Sequence, residues 1–163
     1  GCRSCDSVSW PVRGSAGSMR GRHAFPPNAV CGGSLRAQPI PDRTVFSMMI
    51  TDTAKPYAPG KTASLHIDVV PLAGVVRNGA YPVRSTGPNA TVAQGTRAFA
   101  LLQPDAGHPF EIFATSGGEI RLTLQEGKVT EAQFSLRFED GTSLEGEVTP
   151  RVCSDEETTI FLE

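Results

Sequence analysis

Between Ser116 and Cys153 apolar and polar residues alternate with a period of two, and this feature constrains the fold more than any other. Ile120, Leu122 and Leu124 alternate with Arg121, Thr123 and Gln125; Phe134, Leu136 and Phe138 alternate with Gln133, Ser135 and Arg137; Leu144 and Val148 alternate with Glu145 and Glu147. Successive side chains of a strand point to opposite faces, so the pattern predicts three consecutive antiparallel strands with one buried face. Register is constrained too, because a slip of one residue would turn charge into the core. A two-residue turn at Asp140-Gly141 would set Phe138 opposite the outward Ser143. A three-residue loop of Glu139, Asp140 and Gly141, with Gly141 in the left-handed bulge position, instead sets Phe138, Leu136 and Phe134 opposite Thr142, Leu144 and Gly146. At the earlier turn, looping out Gln125 to Val129 sets Ile120 opposite Phe134 and Leu122 opposite Ala132.

The rest of the chain carries the same kind of signal more weakly. Thr44 to Thr51 is a β-branched and apolar run; Ala63, Leu65, Ile67 and Val69 alternate with Ser64, His66 and Asp68; Asn78-Gly79 marks a turn before a short strand Ala80 to Arg84; Val92 to Leu102 and Phe110 to Thr115 supply two more. With the meander these make about eight strands at short spacing. The expected fold is all-β, an antiparallel sandwich or partly closed barrel. The 17 Gly and 13 Pro act as punctuation between such strands rather than as a repeat. Residues 1–40 read differently. Ser, Gly, Arg and Pro dominate there, with Trp10, Val12, Phe25 and Val30 occurring singly, so an irregular or disordered arm is expected, followed by the β domain at 41–155 and an acidic tail at 156–163. A chain of 163 residues is long enough to bury a core of its own.

Charge divides the chain. Arg3, Arg13, Arg20 and Arg22 face only Asp6 before Leu35, whereas acids dominate from Phe110 onward, so the net charge of -2 conceals an asymmetry. Four arginines without interleaved aromatics make too thin a footprint for nucleic acid. No run approaches the roughly 18 apolar residues of a membrane-spanning helix. Cysteines stand at 2, 5, 31 and 153. Cys153 follows the last strand and Cys31 precedes the first expected one, so a Cys31–Cys153 disulfide would tie the end of the domain to its start, in an oxidising compartment. Cys2 and Cys5 are a second pair or, since Gly1-Cys2 has the form of a lipobox end, Cys2 is a lipid attachment point; half a zinc site is the third reading, without the second ligand pair that zinc requires.

Two local patterns bear on chemistry. Cys31-Gly32-Gly33-Ser34-Leu35 resembles a strand-end motif of trypsin-like serine proteases, but the resemblance stops after five residues, and neither the histidine context nor the Gly-Asp-Ser-Gly-Gly loop of that family is present. His66 and Asp68 project from one face of one strand and offer an imidazole and a carboxylate; with His108, or with Glu111, they would make a metal or hydrolytic site, against the plainer reading of a solvated strand face. Asn89-Ala90-Thr91 is an acceptor sequon that chance explains.

Asn78-Gly79-Ala80-Tyr81, Gly117-Gly118-Glu119-Ile120, Phe134-Ser135-Leu136, Asp140-Gly141 and Cys153 together resemble a loose family of small bacterial lipoproteins and secreted β-domains of uncharacterised function. That resemblance implies an all-β fold and an envelope address, and it brings no catalytic residues. The leading expectation is therefore a non-enzymatic extracytoplasmic module, in the periplasm, on the outer membrane or secreted. It needs no cofactor or metal, takes a protein or small ligand at a loop end or sheet edge, and meets a membrane only if anchored through Cys2. The alternative is a small hydrolase or metal-dependent enzyme using His66, Asp68 and His108. A carbohydrate-binding module ranks lower because the phenylalanines are needed in the core.

Overall fold

The computed structural model describes residues 11–36, 43–53, 62–84, 95–103, 109 and 111–155. Eleven strands occupy them: β1 (Pro11–Gly14), β2 (Gly17–Gly21), β3 (Ala29–Arg36), β4 (Thr44–Thr51), β5 (Thr62–Val69), β6 (Gly79–Pro82), β7 (Arg97–Gln103), β8 (Glu111–Gln125), β9 (Lys128–Phe138), β10 (Ser143–Val148) and β11 (Arg151–Val152). They form one sheet in the order β1-β2-β10-β9-β8-β7-β5-β4-β3-β11, with β6 paired to β8. Every pairing is antiparallel except β11 with β3. The sheet curls into a half-barrel rather than stacking as a sandwich of eight strands.

The curl begins in β8, the longest strand. Its first residues, Glu111 to Ala114, pair with β7, while Glu119 to Leu122 pair on that same edge with β6, and β9 runs along the other edge. A bulge between Thr115 and Gly117 separates the two parts, and bulges bend the strand that carries them. The curl ends where the two extremes of the sheet meet. The β1–β2 turn donates from Ala16 N to Pro27 O and accepts at Ala16 O from Thr149 N, each at 3.0 Å, so the end of β10 and the approach to β3 sit against one turn. The interior is filled from β2, β4, β5, β8, β9 and β10: Met19, Phe46, Met48, Ile50, Leu65, Ile67, Ile120, Leu122, Phe134, Leu136, Phe138 and Leu144 are all buried there.

The meander has the expected register: Ile120 lies opposite Phe134, Leu122 opposite Ala132, Leu136 opposite Leu144 and Phe134 opposite Gly146. Gly141 turns with φ 86°, and Phe138 N donates to Thr142 O across the loop. The earlier turn is tighter than the five residues expected. Gln125 pairs with Lys128 around Glu126-Gly127, both at positive φ (53° and 79°), and Val129 is a strand residue. Thr130 is then the extra residue of a bulge between Thr123 and Leu124, and that one-residue offset restores the register further along the hairpin.

Three expectations need correction. Residues 11–36 are not an irregular arm but β1, β2 and β3, built into the sheet. Their composition is misleading because β2 packs backbone to backbone on β10: a Cβ on Gly17 would strike Glu147 O, and one on Gly21 would strike Ser143 O. The glycines that look like loop punctuation are what allows that approach, and Met19 alone of β2 enters the core. Second, the expected strand ending at Thr115 and the strand from Ile120 are, over the described residues Glu111–Gln125, one strand, β8, bent at its bulge rather than broken. Third, the described residues form eleven strands rather than about eight. Residues 1–10, 37–42 and the tail 156–163 lie outside the described residues.

Candidate functional site

His66 and Asp68 share the outer face of β5, as the alternation requires, but that face is half-buried rather than open to solvent. Across β4, β5 and β7, Ser47, Asp68 and Arg97 stand in one row and Met49, His66 and Phe99 in the next, with Cys31 of β3 beyond Met49. Ser47 and Met49 are buried. Both oxygens of the Asp68 carboxylate are engaged: Oδ1 accepts from Ser47 Oγ at 2.7 Å and Oδ2 from Arg97 Nε at 2.6 Å. The His66 ring lies flat on Phe99, 4.9 Å between centroids and 4° between planes, with Nε2 3.3 Å from Ser64 Oγ. Burial pushes the imidazole down from 6.5 to about 4; Asp68 pulls it up and Arg97 pushes it further down. His66 is therefore neutral at ordinary pH, and the carboxylate beside it is bonded to Ser47 and Arg97 rather than to the imidazole. Glu111, opposite Leu102, falls on the other face of the sheet, and His108 lies outside the described residues. Among the described residues, His, Cys, Asp and Glu form no group of three able to hold a metal.

Cys31 and Cys153 are joined. β11 lies parallel to β3 with Arg151 opposite Cys31, Cys153 N donates to Gly32 O at 3.3 Å, and the two Cα atoms are 4.8 Å apart across 122 residues of sequence. The bond hints at an oxidising, extracytoplasmic environment. Cys2 and Cys5 lie outside the described residues.

A second histidine cluster closes the half-barrel's rim. His23 packs between Phe113 and Phe138, centroids 4.3 and 4.7 Å away, and its Nε2 lies 3.2 Å from Asp140 Oδ2 and 3.1 Å from Thr142 Oγ1. Burial opposes ionisation of Asp140, but the Thr142 side-chain and backbone hydrogen bonds and His23 together hold its carboxyl below the usual 3.8. With both acceptors converging on a single ring nitrogen, the cluster fastens the segment after β2 to the β9–β10 loop.

Two of the concavities differ in charge. One, about 460 Å³, lies on the outer face over β2, β10, β9 and β8, floored by Ser18, Ser135 and Gly146. Its charges are mutually compensated: Arg20 pairs with Glu145, and Arg121 with Glu119 at 3.1 Å. The other, about 560 Å³, is formed by the β5–β6 connection, β6 and the residues just before β4 and β7. Arg43, Arg77 and Arg84 line it with Val70, Leu72 and Tyr81, and the described lining contains no Asp or Glu.

That second pocket is firmly built. Thr96 Oγ1 accepts from Val70 N at 3.0 Å and donates back to Val70 O at 3.3 Å, and Thr44 N donates to Gly74 O at 3.1 Å. The Tyr81 hydroxyl accepts from Arg77 N at 2.8 Å and donates to Arg77 O at 2.7 Å, while Arg43 Nη2 donates to Leu72 O. Arg43 Nε is buried and, among the described residues, has no acceptor, which an anion beside the guanidinium would supply. The sequence reading passed over these arginines because they come singly. For Arg77 and Arg84 the signal was in what is missing around them: no Asp or Glu occurs from Val69 to Pro104.

No family model, curated protein or solved structure matches the chain. The likeness to small bacterial lipoproteins rests on the quoted motifs alone.

Proposed function

We propose that the chain is a non-enzymatic binding module of an extracytoplasmic compartment and that it takes an amphipathic anion at the pocket between β5 and β6. The observation that carries this reading is the make-up of that pocket: Arg43, Arg77 and Arg84 share a concavity with apolar walls, no carboxylate stands among its described lining residues, and the buried Arg43 Nε has no acceptor among the described residues. Guanidinium is permanently charged and offers a planar fork to carboxylate or phosphate, and valine, leucine and tyrosine beside it suit an alkyl body. The alternative, hydrolysis or metal chemistry through His66, Asp68 and His108, is disfavoured because Asp68 accepts from Ser47 and Arg97 instead of orienting the imidazole.

Calorimetric titration with octyl phosphate, octyl glucoside and an octyl ammonium salt tests the reading. Only the phosphate should bind, and the double variant Arg77→Glu, Arg84→Glu should lose it. Binding of all three amphiphiles alike would overturn the anion site, and ester or phosphoester hydrolysis that disappears in His66→Ala would overturn the non-enzymatic reading.

A further inference from the structure

The occupant of this pocket's rim can be named from the rim itself, on the premise that the pocket is the binding site. Large apolar side chains that stand exposed among the described residues are few: Leu72, Val75, Ile112 and Val152. Two of them fall in one run, Pro71-Leu72-Ala73-Gly74-Val75-Val76, which carries no polar side chain and forms the outer rim of the pocket. Leu72 is 93% exposed and Val75 55%. The exposure is built in, because the same segment is fastened from below by the bonds from Thr44 N to Gly74 O and from Arg43 to Leu72 O, and Val70 and Val76 on either side are buried.

A leucine open on nearly all sides cannot be covered by a molecule lying in the pocket beneath it, which would reach one flank. A planar apolar phase would cover all of it. The pocket beneath this tip is lined by Arg43, Arg77 and Arg84 together with Tyr81. An apolar point above arginine matches the cross-section of a leaflet with anionic headgroups, where phosphates meet guanidinium forks at the depth at which acyl chains begin. A tyrosine suits the same boundary.

We propose that Pro71 to Arg77 is a membrane-docking tip, which sets Leu72 and Val75 into a leaflet containing anionic phospholipid and holds a headgroup phosphate with Arg77, the exposed residue that ends the run. The contact is peripheral and reversible, made by a loop and not by a spanning segment. It is separate from any anchor at Cys2.

Flotation with vesicles of phosphatidylcholine, with and without phosphatidylglycerol, provides the test. The full chain should float with the anionic vesicles and release as salt rises, since surface electrostatics are screened. Arg77→Ala should weaken binding about fivefold, the value of one basic residue at such a surface. Leu72→Asp with Val75→Asp, at sites too exposed to affect folding, should abolish flotation, which separates the tip from an acyl anchor. Octyl phosphate binding without flotation, unchanged flotation of the Asp variant, or equal flotation with neutral vesicles would each overturn the membrane tip and leave the anion pocket standing. Loss of both octyl phosphate binding and flotation in the native chain would overturn the two together.

Discussion

The two halves of the curled sheet use their outer faces in opposite ways. In β8, β9 and β10 buried and exposed residues alternate, and the outer face carries Arg121, Gln133, Ser135 and Glu145 in water. In β4 seven of eight residues are buried, so Val45, Ser47, Met49 and Thr51 on the outer face are as enclosed as Phe46, Met48 and Ile50 on the inner one. The same fold thus contains a one-sided sheet and a two-sided one. A charged residue on the first is held by solvent, whereas on the second it needs a partner in the protein. Asp68 has two such partners and His66 gives up its charge.

The largest effect that would sharpen this contrast comes from the clasp on the enclosed half. Cys31 and Cys153 close a loop spanning 122 residues, for which the chain-entropy relation gives about 5 kcal/mol before any strain. Stabilities of whole domains are of the order of 5–15 kcal/mol, so the double variant Cys31→Ala, Cys153→Ala should lose a large share of its urea midpoint. A midpoint that is the same with and without reductant would show that β11 holds to β3 without the bond.

A middle-sized effect compares two ion pairs directly. Asp68 and Arg97 are 15% and 16% exposed at their side chains, Glu119 and Arg121 47% and 60%. Asp68→Ala removes the carboxylate facing Arg97 and Ser47 in an enclosed row and should destabilise by about 2 kcal/mol, below the 3–5 typical of a fully buried pair because the guanidinium also lies over Phe99. Glu119→Ala, on the wet face, should change stability by less than about 0.5 kcal/mol. Equal effects by chemical denaturation would mean that the outer faces do not differ as described.

The contrast also explains what the sequence allowed to be read. Where one face is wet, each residue reports its side, so the β9–β10 register and the left-handed Gly141 follow from alternation. In β4 both sides are enclosed and TVFSMMIT shows only that the strand is buried, not which residues face the interior. β1 and β2 were illegible for another reason. Gly14, Gly17 and Gly21 serve close backbone approach, and the partner that makes them necessary lies on β10 or before β3, far away in sequence. The arginine pocket was hidden likewise: Arg43, Arg77 and Arg84 come together only because the β5–β6 connection folds beside the starts of β4 and β7. The Cys31–Cys153 pairing could be read because it depends only on where the two residues stand relative to the strands.

The smallest effect is the acid response of the enclosed half, and its sign follows from the direction of the His66 shift. Burial holds the folded imidazole at about 4, against 6.5 in an unfolded chain. The unfolded state therefore binds the extra proton first as pH falls. The contribution of His66 is fully present above pH 6.5, declines between 6.5 and about 4, and changes no further below that. A shift of this size sets a ceiling of about 3 kcal/mol, and the ring's remaining exposure lowers the expectation to roughly 1–2 kcal/mol. Asp140 on the other half responds in a different window, since a carboxyl held below 3.8 loses its contribution only in stronger acid. His66→Phe keeps an aromatic ring against Phe99 and removes the titration. Urea midpoints measured at about pH 7.5 and about pH 4.5 should fall more for the native chain than for this variant. Parallel lines for the two proteins would place His66 in water and return the outer face of β5 to the solvated strand that its alternating sequence resembles.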